Sequence, residues 1–134
     1  MKELRISIES SLSVASLGLM VYALFGGFSL DTRNRIRDRA VKKFGRLCSE
    51  WSGRDDEPLQ AAHWDHSKNS PRYDDPQNGR LLTLTEHLED HIRRAGRNGL
   101  SKRDNDAAIA SLKSQIKKFE KQRSQERRFG RRAG

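Results

Sequence analysis

Cysteine occurs once in the 134 residues, at Cys48, so no disulfide can close within the chain and no multi-cysteine zinc site can form. Apolar residues are scarce as well, at 34%, which allows one small domain but not two good cores. Acidic residues fall short of basic ones, 18 against 27, and the resulting net charge of +9 points to a polyanionic partner, either nucleic acid or an anionic membrane surface. Charge is missing altogether from Leu12 to Leu30, a run of nineteen residues.

That run sits in a segment unlike the rest. Residues 1–30 hold 17 of the hydrophobic residues, while their four charges cancel. Nineteen uncharged residues are about the length a helix needs to cross the hydrocarbon of a bilayer, so residues 12–30 are a candidate membrane span. The bases that follow, Arg33 to Lys43, would keep the C-terminal side in the cytoplasm, anchored to an inner membrane. Ser13, Ser16, Gly18, Gly26 and Gly27 leave two alternatives open: a buried helix with a Gly-Gly turn, or a cleaved signal with Lys2 and Arg5 in front.

The remaining charge is segregated. Residues 31–46 carry +5, residues 47–90 carry −6 and residues 91–134 carry +10. The first basic stretch predicts a helix over 32–44, with Thr32 as cap, Ile36, Ala40, Val41 and Phe44 on one face, and Gly45 as the stop. Residues 49–79 are rich in Asp, Pro, Ser, Asn and Gly and read as loops around short strands. After the apolar run at Leu81, Leu82 and Leu84, Thr85 is placed to cap a helix starting near Glu86, which puts His87 and His91 on one face. Ser101 and Asp104 have capping-box spacing ahead of a stripe of Ala108, Ile109, Leu112, Ile116 and Phe119. That stripe is expected to pack on Ile36, Val41, Phe44 and Leu84. Residues 120–134, basic and nearly without apolar side chains, read as a disordered tail.

All four histidines, His63, His66, His87 and His91, fall within 29 residues of the acidic middle, beside Asp65. A carboxylate with two imidazoles one helical turn apart can hold a divalent cation, leaving a further imidazole for proton transfer. The stretch AAHWDHSKNSPRYDDPQNGRLLTLTEHLEDH resembles the HNH endonuclease motif: His-x-Asp-His, then Asn78, then His87 nine positions later, then His91. The resemblance covers roughly residues 33–112. It implies an α+β chain in which a small ββα-metal domain, 32–119, with flanking helices follows an apolar N-terminal helix at 1–31.

It further implies hydrolysis of DNA phosphodiester bonds with one divalent ion, Mg, Mn, Ni or Zn, and no small-molecule cofactor. His87 and His91 would be ligands, and Asn78 would brace the loop that bears the general base. Two registers fit. In one, Asp65 is a ligand and His66 activates water; in the other, His63 is the base and Ala62 stands where a ligand is expected. The family's two Cys-x-x-Cys pairs are missing, with Cys48 a remnant and Thr83 and Glu86 at the second pair, so no structural zinc is expected. Phosphate contacts are expected from Arg35, Arg39, Lys42, Lys43, Arg93, Arg94, Lys117 and Lys118. A non-catalytic basic nucleic-acid-binding protein, tethered or soluble, is the alternative that this composition also fits.

Overall fold

The computed structural model describes residues 27–133, an α+β arrangement of three helices and one two-stranded antiparallel sheet. The elements are α1 (Leu30–Phe44), β1 (Leu59–His63), a 3-10 turn (Pro76–Asn78), β2 (Gly79–Thr83), α2 (Leu84–Arg93) and α3 (Lys102–Ala133). Residues 12–26 of the candidate span lie outside the described residues. Its last part belongs to the domain: Phe28 is buried in the core and Leu30 opens α1. Among the described residues no helix is long and apolar enough to cross a membrane.

α1 begins two residues before the expected Thr32. Ser29 is the cap, its hydroxyl accepting the Thr32 amide at 3.2 Å, because Asp74 holds the Ser29 amide at 2.8 Å and fixes the entry of the chain. Thr32 instead donates its hydroxyl to the Asp74 carbonyl at 2.9 Å. The helix stops where glycine was expected to stop it, at Gly45 in the left-handed conformation with φ 76°. Ile36 and Ala40 are fully buried, whereas Val41 is exposed.

β1 and β2 pair from Leu59↔Thr83 to His63↔Gly79. Period-two alternation turns Leu59, Ala61 and Leu81 to the same side, and these join Phe28, Ile36, Ala40 and Leu47 in the core beneath α1. Gly79 is required there by close approach: a Cβ would stand 2.7 Å from both the Ile36 and the Phe28 side chains. Arg39 reaches from α1 into the hairpin and loops, donating to Glu50 twice at 2.8 Å, to the Pro76 carbonyl at 2.8 Å and to the Gly79 carbonyl at 2.7 Å. Glu50 also accepts the Leu81 amide at 2.9 Å. Arg39 is therefore committed to the fold and not available to phosphate.

α2 follows β2 without a loop. Its cap is Thr83, with Glu86 completing a capping box, and not Thr85, whose amide and hydroxyl bind Glu57 at 2.9 and 2.8 Å. Glu86 is also held by the side chains of Ser49 and Ser52, so hydrogen bonds tie the segment after α1 to the start of α2.

Ser101 caps α3 as expected, its hydroxyl accepting the Asp104 amide at 3.1 Å. The apolar stripe packs on α2 and not on α1, with Leu112 buried and Ala108, Ile109, Ile116 and Phe119 half-buried. Past Phe119 the chain stays helical to Ala133, and residues 120–130 are all exposed. Composition alone predicted disorder there. Lys, Arg, Gln and Glu dominate the segment and are good helix formers, so a helix already nucleated by the packed first half can propagate through it.

Candidate metal centre

The fold gathers all four histidines. His87 and His91 stand one turn apart on the buried face of α2, His63 ends β1, and His66 follows three residues later. Ring centroids are 5.0 Å apart for His87 and His91, 5.1 Å for His66 and His91, and 5.3 Å for His63 and His66. They line one pocket of about 150 Å³, with Ala107, Ala108 and Leu112 of α3 forming a wall and Lys68 at its edge.

Hydrogen bonds fix which ring nitrogens carry protons. His91 Nδ1 meets Asn105 Oδ1 at 2.9 Å. The orientation of that amide is set because its Nδ2 donates to the His91 carbonyl at 3.1 Å, and Asn98 donates to the same Oδ1 at 2.9 Å. His87 Nδ1 meets Gln60 Oε1 at 2.9 Å, and Gln60 Nε2 donates to Gln115 at 2.6 Å. Both histidines thus carry a proton on Nδ1, and in the neutral form each has its lone pair on Nε2. Those two Nε2 atoms face each other at 3.3 Å.

Two lone pairs at that distance repel unless a proton or a cation lies between them. Burial, with a smaller contribution from the neighbouring histidines, pushes His87 down to about 3, so the His87 ring is itself neutral near neutral pH. Two nitrogens bound to one zinc at about 2.0–2.1 Å with near-tetrahedral angles stand about 3.4 Å apart, which the pair matches. Imidazole ligands whose second nitrogen donates to a carbonyl oxygen are also the usual arrangement at metal sites. As the side chains stand, no three His, Cys, Asp or Glu among the described residues close into a complete ligand set.

His63 is differently held. Its ring is stacked between Phe28, at 3.5 Å, and Tyr73, at 4.3 Å, and its Nε2 is 3.1 Å from the Tyr73 carbonyl. A carbonyl can only accept, so Nε2 carries the proton and Nδ1 is left with the lone pair. Burial pushes this ring down to about 4, so it is neutral at physiological pH. Asn78 clamps the loop that follows: its Nδ2 donates to the Asp65 carbonyl at 2.9 Å and to the Tyr73 carbonyl at 3.2 Å, and its Oδ1 accepts the Asp65 amide at 2.9 Å.

The other candidates divide. Asp65 turns Oδ1 onto the Ser67 amide at 2.9 Å, and hydrogen bonds from Ser67 hold its carboxyl below the usual range. His66 has its Nε2 buried without a partner among the described residues, and burial, then the proximity of His91, His63 and Arg94, pushes the ring down to about 3. Arg94 is buried, donating to the Trp64 carbonyl at 2.7 Å and lying 3.4 Å from the Trp64 ring centroid, so like Arg39 it serves the fold. Arg35, Lys42, Lys43, Arg93, Lys117 and Lys118 are exposed, Arg35 pairing with Asp31 at 3.0 Å and Arg93 lying over Trp51.

Gln60, Asn98 and Asn105 were not legible as functional residues. They orient the histidines from 27 and 14 positions away, and nothing in their local sequence marks them. Compared with protein-family models, curated proteins and solved structures the chain has no match, so its own residues carry the functional reading.

Proposed function

We propose that the chain is a divalent-metal-dependent endonuclease of the HNH type, with β1, β2 and α2 as a ββα-metal unit, hydrolysing DNA phosphodiester bonds. The observation that carries this reading is the facing Nε2 pair of His87 and His91, in a pocket also lined by a third ring, His63, whose proton is held on Nε2 by the Tyr73 carbonyl. His87 and His91 would hold the ion, which when bound supplies positive charge to the scissile phosphate and the leaving oxygen. His63 takes a proton from water at Nδ1 while Nε2–H stays on the Tyr73 carbonyl, which then stabilises the imidazolium. Asn78 keeps that carbonyl and the loop in place.

The geometry supports His63 as base over His66 acting with Asp65, since the Asp65 carboxylate is engaged within its own loop. Exposed Lys42, Lys43, Lys117 and Lys118 supply phosphate contacts that are independent of sequence. The test is nicking of supercoiled plasmid by chelator-stripped protein with each of Mg²⁺, Mn²⁺, Ni²⁺ and Zn²⁺ restored. Nicking is expected with at least one ion and none with chelator, and His63→Ala should lower the rate at least about 100-fold while circular dichroism is unchanged. Salt-sensitive DNA binding without cleavage under any ion would leave the binding-protein alternative instead.

A further inference from the structure

We infer that His66 is the third protein ligand of the ion, making the centre an all-imidazole set of His66, His87 and His91 with no carboxylate. The inference rests on the proposed metal centre and concerns which residue completes it.

Among the described residues His66 Nε2 is buried without a hydrogen-bond partner, a costly state for a polar nitrogen that a bound ion would relieve. Its ring stands 5.1 Å from that of His91, as His87 does at 5.0 Å. With metal–nitrogen bonds of about 2.0–2.1 Å each ring centre lies about 3.2 Å from the ion, so rings sharing an ion stand about 5 Å apart. The backbone delivers His66 to this place: its amide donates to the Asn98 carbonyl at 2.8 Å, and the side chain of Asn98 binds the same Asn105 oxygen that holds His91 Nδ1. The loop bearing His66 and the ring of His91 are thus anchored to one polar cluster.

The competing donors are worse placed. The Asp65 carboxylate and Ser67 press so closely on Gly99 that a Cβ there would meet Asp65 Oδ1 at 2.5 Å and Ser67 Oγ at 2.7 Å. With Oδ1 also on the Ser67 amide, the carboxylate is not free to swing. Ala62, where one sequence register expects a ligand, offers a buried methyl group. Three neutral imidazoles favour borderline ions such as Zn²⁺, Co²⁺ and Ni²⁺ over Mg²⁺ and Ca²⁺, which prefer oxygen.

The test is titration of the chelator-stripped full chain with Co²⁺, read by its ligand-field absorption, followed by displacement with Zn²⁺. One Co²⁺ per chain is expected, unaffected by millimolar Mg²⁺. His66→Ala should weaken binding at least about 100-fold, more than loss of an outer-shell partner does, while Asp65→Asn should stay within about threefold of the parent. His66→Cys should bind Co²⁺ with a new thiolate-to-cobalt band in the near ultraviolet, a signal that a structural role for residue 66 cannot produce. Parent-like binding by His66→Ala with loss in Asp65→Asn, or absence of that band in a Co²⁺-bound His66→Cys, overturns the assignment and leaves the metal centre standing. Failure of the parent chain to bind Co²⁺ or Zn²⁺ overturns the centre itself.

Discussion

The two ends of α3 are both rich in basic and polar residues but differ in apolar ones, and they have opposite fates. Along residues 102–119 two polar side chains are built into the domain: Asn105 fixes His91 and Asn98, and Gln115 accepts from Gln60, with Leu112 buried on the same helix. Along residues 120–130 every side chain is exposed, including Phe129 at 69%. The same contrast runs through the bases, since Arg39 and Arg94 are spent on internal carbonyls and carboxylates while Lys117 and Lys118 are free. Basic charge in this chain therefore does two jobs that composition cannot separate. Changes in the first group should cost stability and metal affinity, and changes in the second only affinity for polyanions.

The largest effect is expected from Asn105→Ala. It removes the acceptor of His91 Nδ1 and of Asn98 Nδ2 and the donor to the His91 carbonyl, all buried. Chemical denaturation should show a loss of about 3 kcal/mol, and Zn²⁺ affinity should fall about 10- to 100-fold. An unchanged midpoint and affinity would erase the distinction between the two ends of the helix.

A smaller loss is expected from Glu50→Gln, about 2 kcal/mol at pH 7. Burial opposes ionisation of Glu50, but the Arg39 hydrogen bonds and the Leu81 amide outweigh it and hold the carboxyl below its ordinary value. Its contribution is therefore complete above the unfolded value near 4.3 and drains away as pH falls through the lower folded value. Denaturation curves of parent and variant should accordingly converge as pH falls below about 4. A difference that is independent of pH would mean the ion pair is not the source.

The smallest structural effect belongs to the exposed end. Arg127→Glu with Arg128→Glu should leave the denaturation midpoint unchanged, while the salt dependence of DNA binding loses a slope of about 2. A fall in stability would show that the extension packs on something.

Much of this arrangement was legible beforehand, and the misses share a cause. The apolar spacing of Ile36 and Ala40 with Gly45 behind them located α1, and Ser101 located the start of α3. The caps at Ser29 and Thr83 were displaced from Thr32 and Thr85 because Asp74 and Glu57, distant in sequence, compete for the nearby threonines. Phe28 was hidden in an apolar run that reads as a span, although it stacks on His63 and crowds Gly79. The histidines announced themselves by clustering, but the tautomers that give them a role depend on Gln60, Tyr73 and Asn105, which only the fold brings near. Arg39 and Arg94 looked like their exposed neighbours because burial of a base is a tertiary fact.

The central claim is that the folded chain holds imidazole lone pairs in place for a metal ion. Long-range ¹H–¹⁵N correlation of the histidine rings at pH 7, before and after Zn²⁺, tests it most directly. His87 and His91 should appear as Nδ1–H tautomers and His63 as the Nε2–H tautomer, and added Zn²⁺ should shift Nε2 of His87 and His91 while leaving His63 a neutral ring. An imidazolium at His87 or His91 in the stripped protein, or Zn²⁺ that moves neither Nε2, would contradict the account.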